Sequence, residues 1–124
     1  MEDNKTILVV DDTPINIHLM VEILMKYYKV KVAISGEKAL KISRKIPPDL
    51  ILLDIIMPEM DGYQVFEQLK ANRATANIPI VFVTGMSENT DQEKGLAMGA
   101  KGYITKPVDP KKVLEMVNAI LFPS

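Results

Sequence analysis

Asp11-Asp12, Asp54, Thr84 and Lys106 each follow directly on a short apolar or β-branched run, respectively Thr6–Val10, Leu50–Leu53, Ile80–Val83 and Gly102–Thr105. Three carboxylates, a hydroxyl and an ammonium are the groups needed to hold a phosphoryl group. Within a few ångströms of one another, the carboxylates repel and raise each other's pKa. A hard divalent cation removes that conflict, and Mg2+ takes one or two carboxylates together with waters and phosphate oxygens. A lysine beside such a cluster supplies the positive charge that a transferred phosphoryl group needs. Each residue also has a plainer reading. Asp11-Asp12 suits the cap of a following helix, Thr84 suits any strand, and a lysine at a strand end commonly just reaches solvent. Asp54 weighs against the plainer readings, because it ends a fully apolar run and precedes Met57-Pro58, which cannot simply continue as helix. Gly85 leaves the loop after Thr84 open to the approach of backbone N–H groups to an anion.

These residues are brought together only if the runs are strands of one sheet. β-branched runs bounded by turn signals, with helical patterns between them, read as parallel strands buried on both faces. Val30–Ile34 adds a second strand, the shortest and most lysine-flanked (Lys29, Lys31), as suits an edge. Thr13-Pro14 opens the first helix, on which Ile15, Leu19, Met20, Ile23, Leu24 and Tyr27 fall on one face. Ser35-Gly36 opens a second helix through Ala39, Leu40 and Ile42 that stops before Pro47-Pro48. Asp61-Gly62 caps a third carrying Val65, Phe66 and Leu69. A fourth, weakly apolar helix (Leu96, Ala97, Met98) starts near Asn89 and ends at Gly99 as a left-handed C-cap. Asp109-Pro110 opens the last, with Val113, Leu114, Met116, Val117, Ile120 and Leu121 as its buried stripe. The alternation is an α/β (βα)5 chain, and its short connections force right-handed crossovers into a doubly wound sheet. The order 2-1-3-4-5 puts the reversal between the first and third strands, where Asp11, Asp12 and Asp54 emerge.

Composition narrows the function classes. The chain has 124 residues, 48% hydrophobic and 25% charged, enough for one domain with a full core. Its net charge of −1 argues against binding nucleic acid through phosphate contacts. No cysteine is present, which removes disulfides, thiolate metal sites and thiol catalysis, and the single His18 builds no histidine-rich metal site. His18 reads as a surface or half-buried side chain, the 8 methionines mostly as core filler, and Lys111-Lys112 as a solvated first turn. No apolar stretch reaches a transmembrane length, and Met1-Glu2-Asp3-Asn4-Lys5 lacks a signal peptide's apolar region, so a cytoplasmic location and no membrane partner are expected.

Asp11-Asp12, Leu52-Leu53-Asp54-Ile55-Ile56-Met57-Pro58-Glu59-Met60-Asp61-Gly62, Thr84 and Lys106-Pro107 together make the whole chain, residues 1–124, resemble a receiver domain of the two-component response-regulator family, chemotaxis-regulator-like and flavodoxin-like in fold. The resemblance implies that Asp54 is the phosphoacceptor and that Mg2+ is the cofactor. The metal would be held by Asp12 directly, Asp11 directly or through water, Asp54, and the backbone carbonyl of Ile56. Lys106 would pair with the phosphoryl oxygens and Thr84 would hydrogen-bond them. Tyr103 would be the aromatic rotor that moves with Thr84, and Lys106-Pro107 a cis peptide. The donor would be a sensor histidine kinase or a phosphotransfer protein, and the recipient of the signal an output domain or effector. A phosphorylation-dependent homodimer is left open. On this reading the chain is a regulator that catalyses only its own phosphotransfer and slow autodephosphorylation.

Ile56 and Met86, two residues beyond Asp54 and Thr84, are apolar side chains that would flank the phosphoryl group and hinder a hydrolytic water. Asp12-Thr13-Pro14-Ile15-Asn16 and Ile104-Thr105-Lys106-Pro107-Val108-Asp109-Pro110 resemble, less specifically, receivers joined to cyclic-di-GMP-related output domains, and the expectation leans towards a receiver from a longer regulator over a stand-alone one. A nucleotide- or flavin-binding module of the same architecture would need a glycine-rich phosphate loop after the first strand, which is missing. A pseudo-receiver would have lost an acidic residue, Asp54 or Lys106. A stand-alone hydrolase would need a general base beside the site motifs, and none accompanies them.

Overall fold

The computed structural model describes residues 4–85 and 89–123. Strands β1 (Thr6–Val10), β2 (Lys29–Ala33), β3 (Leu50–Asp54), β4 (Ile80–Thr84) and β5 (Gly102–Thr105) alternate with helices α1 (Pro14–Leu24), α2 (Gly36–Lys45), α3 (Gly62–Ala71), α4 (Asn89–Met98) and α5 (Pro110–Leu121). The strands form one parallel sheet in the order β2-β1-β3-β4-β5.

Strand alternation divides the core into two layers. Leu8, Val10, Ile51, Leu53, Ile80 and Phe82 pack with residues of α2 and α3 on one face. Ile7, Val9, Leu50, Leu52, Val81 and Val83 pack with Met20, Leu24, Val113 and Val117 of α1 and α5 on the other. β3, the middle strand of the five, is buried along its whole length, as is its neighbour β4.

Helix ends follow their local chemistry. Ser35 Oγ accepts from the Lys38 amide at the start of α2. Asp61 and Gln64 form a reciprocal capping box on α3, each side chain accepting from the other's backbone N–H at 2.9 Å. Gly99, at φ 111, ends α4 as its sequence position predicts.

Two expectations need correction. β2 begins at Lys29, one residue earlier than predicted, and at five residues it is no shorter than its neighbours; β5, with four, is the shortest. The buried face of α1 is also narrower than the six-residue stripe. Met20 and Leu24 are buried and Ile23 half-buried, whereas Ile15 is 66% and Tyr27 62% exposed and Leu19 is exposed too. The helix stops at Leu24, and the turn that follows swings Tyr28 into the core in place of Tyr27, its amide bonded to the Leu24 carbonyl and its hydroxyl to Asn118 Oδ1 on α5. Leu19, Ile23 and Tyr27 instead line an open groove of about 490 Å3 facing Pro107, Val108 and Leu114. No helix among the described residues is long and apolar enough to cross a membrane.

Candidate functional site

The strand ends deliver the predicted residues to one edge of the sheet. Asp11 and Asp12 leave β1, Asp54 ends β3, Thr84 ends β4, and Lys106 follows β5. Register sets their heights: Asp54 pairs with Val83 and Thr84 with Thr105, so Thr84 projects one residue further along the sheet than Asp54. One carboxylate oxygen from each of Asp11, Asp12 and Asp54 lies within 4.8 Å of the others. Asp11 and Asp54 are each 5% exposed, Asp12 is open to solvent, and Thr84 is fully buried.

Lys106 ties the cluster together. Its Nζ donates to Asp11 Oδ2 at 2.9 Å and stands 3.4 Å from Asp54 Oδ1. Its backbone N–H donates to the Thr84 carbonyl at 2.8 Å, and its bond to Pro107 is cis. The plain reading of this lysine, a side chain reaching only solvent, does not describe it. Nor does either aspartate cap α1 through its side chain. The N-cap is Thr13, and Asp11 Oδ1 instead accepts from the Thr13 amide at 2.9 Å, while the Asp11 amide donates to the Ala33 carbonyl. Asp11 is thereby fixed by β2 on one side and the α1 turn on the other, with its second oxygen aimed at Lys106.

The charge balance is unfavourable around Asp54. Burial, followed by the neighbouring Asp11 charge, pushes its carboxyl from 3.8 up to about 6, against the Lys106 ammonium and with a smaller push from Asp12. The three carboxylates and one lysine leave surplus negative charge in a partly dry site. That surplus, together with an all-oxygen donor set, fits a hard divalent cation.

The loop after Asp54 depends on a residue whose importance was not evident from sequence. The chain turns back through Glu59, at φ 70, and the Gly62 amide donates to the Ile55 carbonyl at 2.7 Å. A Cβ on Gly62 would lie 2.3 Å from the Asp54 carbonyl oxygen and 2.8 Å from Ile55 Cα. Gly62 thus lets the first turn of α3 press against the backbone that carries Asp54. The Asp61-Gly62 dipeptide was legible as a cap, but a close approach between two backbones leaves no pattern in sequence.

Ile56 is 62% exposed beside the site. Tyr103, half-buried, packs against the α3 side of the core, and Gly85 has open space around its Cα. Met86 lies outside the described residues. His18 is exposed and paired with Glu22 at 2.7 Å. Of the methionines, Met20 and Met57 are buried, whereas Met25 is exposed.

Residues 7–118 match the family described as "Response regulator receiver domain". The chain is 37% identical over 116 residues to Protein PilH of Pseudomonas aeruginosa, covering 93% of this chain and 96% of that one. It is 50% identical over 110 residues to the "Probable cyclic di-GMP phosphodiesterase" of Vibrio cholerae, covering 87% of this chain but only 25% of that protein. The chemotaxis protein CheY4 of Vibrio cholerae superposes with a TM-score of 0.89 at 27% identity, over 96% of this chain and 100% of that one. With the (βα)5 sheet order and the acidic cluster at its switch point, these matches place the chain in the response-regulator receiver family of two-component signalling.

Proposed function

We propose that this chain is a phosphorylation switch in which Asp54 accepts a phosphoryl group, in the presence of Mg2+, from the phosphohistidine of a sensor histidine kinase or phosphotransfer protein. The observation that carries the proposal is the Lys106 ammonium held 2.9 Å from Asp11 and 3.4 Å from Asp54, at the mouth of a cluster of three carboxylates. Asp11, Asp12, Asp54 and the Ile56 backbone carbonyl would hold the metal. When bound, Mg2+ neutralises charge on the phosphoryl oxygens and on the carboxylates.

An Asp54 carboxylate oxygen attacks phosphorus, the bond from phosphorus to the donor imidazole nitrogen breaks, and that nitrogen keeps the electron pair. Such transfers depend mostly on positioning and on charge neutralisation at the equatorial oxygens, so a sparse site suffices. Lys106 meets one of those oxygens once the acyl phosphate has formed on Asp54, and Asp11 holds the lysine in place until then. The adduct brings roughly −1.5 to −2 charge and three acceptor oxygens. Thr84 is drawn towards them and Tyr103 turns inward, which reshapes the face running from β4 to α5 and signals to an output domain or effector. As a receiver, the chain is a regulator whose only chemistry is on itself.

Incubation with phosphoramidate or acetyl phosphate and Mg2+, followed by intact mass and peptide mapping, tests this. One phosphoryl group on Asp54, absent in Asp54→Asn, is the expected result; an adduct of the same mass in that variant would overturn it.

Cyclic-di-GMP turnover is the output we favour. It is supported by 50% identity to a quarter of the Vibrio cholerae phosphodiesterase. The genomic sequence flanking this one decides it: a cyclic-di-GMP-related output domain in the same reading frame is expected, and a different effector refutes it.

A further inference from the structure

The described side chains of helix α4 bury little apolar surface. Among its described side chains Gly95 is buried and Met98 half-buried, while Glu93, Lys94, Leu96 and Ala97 are exposed. Gly95 sits directly over Phe82, where a Cβ would come within 2.9 Å of the ring. That ring is fully buried and flanked by Tyr63 and Phe66 of α3, with centroids 5.3 Å and 5.5 Å away. Next to Gly95, Lys94 reaches towards α3 and places its ammonium 4.3 Å from the centre of the Tyr63 ring. A cation–π contact thus joins α3 and α4 above Phe82, where, among the described side chains of α4, Met98 is the one large apolar group packed against the core. Phe82 precedes Thr84 by two residues on β4, and the alternation of the strand gives both the same side.

We propose that the Lys94–Tyr63 contact is a latch that holds α4 in its resting position and opposes the phosphorylated state. The proposal rests on phosphoryl acceptance at Asp54. α4 rests through Gly95 on Phe82, two residues before Thr84 on β4, so drawing Thr84 towards a phosphoryl group shifts the strand end against which that helix packs. Drawing α4 directly away from the Tyr63 ring by about 2 Å takes the ammonium, 4.3 Å from the ring centre at rest, to the limit of the roughly 6 Å range over which an aromatic ring attracts it. A contact of this kind, open to solvent on one side, shifts a two-state equilibrium about two- to fivefold. The apparent affinity for a phosphoryl mimic falls by the same factor, because binding must first recover the competent population.

Titration of the protein with beryllofluoride and Mg2+ tests the latch. Lys94→Gln should bind the mimic about two- to fivefold more tightly than the parent. Lys94→Arg, which also stacks on an aromatic face, should keep the parent affinity. In a Tyr63→Leu background, Lys94→Gln should change nothing further. Removing a positive charge by itself weakens anion binding, so tightening separates release of the latch from general electrostatics. Unchanged or weaker binding by Lys94→Gln overturns the latch, as does a loss of urea stability without tightening. If the parent shows no Mg2+-dependent binding that Asp54→Asn abolishes, the acceptor reading fails and the latch with it; if the parent binds and only the Lys94 pattern is missing, the latch alone falls.

Discussion

Replacing Asp54 with Asn should make the metal-free protein more stable at neutral pH, by an amount that grows as the pH rises. Burial and the Asp11 charge push the Asp54 carboxyl from 3.8 to about 6 in the folded chain. In the unfolded chain it ionises near its ordinary value, so between these two points folding takes up a proton. Below about pH 4 the group is neutral in both states and costs nothing; above about pH 6 it is ionised in both, and the folded state carries the full cost of the charge. Stability from this residue is therefore present at low pH and lost as the pH climbs through about 6. The difference of about two on the pH scale corresponds to about 3 kcal/mol, at about 1.36 kcal/mol for each pH unit. Water at the open Asp12 side screens part of it, leaving roughly 1–2 kcal/mol. Asparagine has nearly the same shape, carries no charge, and leaves Lys106 bonded to Asp11. Urea unfolding of parent and variant in EDTA should show near-equal stability around pH 4 and a gain of about 1–2 kcal/mol around pH 7. Mg2+ at about ten times its dissociation constant should return about 1.4 kcal/mol to the parent. It should return little to Asp12→Ala. A gain independent of pH, or a loss at neutral pH, refutes the reasoning, and identical parent curves in EDTA and saturating Mg2+ refute the metal site.

Gly62→Ala should cost about 1–3 kcal/mol in urea unfolding and slow phosphorylation by phosphoramidate, because the new methyl meets immovable backbone at Asp54 and Ile55. Unchanged stability would show that the close approach is not needed. Combining Ile56→Asn with Met86→Glu should speed decay of the aspartyl phosphate about five- to thirtyfold, equivalent to about 1–2 kcal/mol of barrier, by hydrogen-bonding an in-line water. Decay after donor removal, unchanged or slower in the double variant, would exclude that role.

How legible each element was depended on its surroundings. β1, β3, β4 and β5 could be placed because their runs are apolar or β-branched and end at aspartate, threonine or lysine. β2 slipped by one residue because an edge strand alternates lysine with valine and lacks a sharp apolar end. On α1 the six apolar residues spread over more than the face that packs, and nothing local distinguishes the half that meets α5 from the half that lines the groove. Carrying helical spacing past Leu24 selected Tyr27, whereas the turn buries Tyr28.

The site divides in the same way. Which residues reach the sheet edge follows from strand ends and crossover handedness, both local or general rules that one sequence carries. Which atoms meet does not. Lys106 bonds to Asp11, 95 residues away, more closely than to Asp54, and this depends on the register of non-adjacent strands. Asp54 is hard to ionise because folding buries it and sets the Asp11 charge beside it, and Gly62 matters because α3 returns onto its own β3 loop. Periodicity acts over a few residues. Burial, charge coupling and backbone contact are properties of segments far apart in sequence, and they take their values only when the sheet brings those segments side by side.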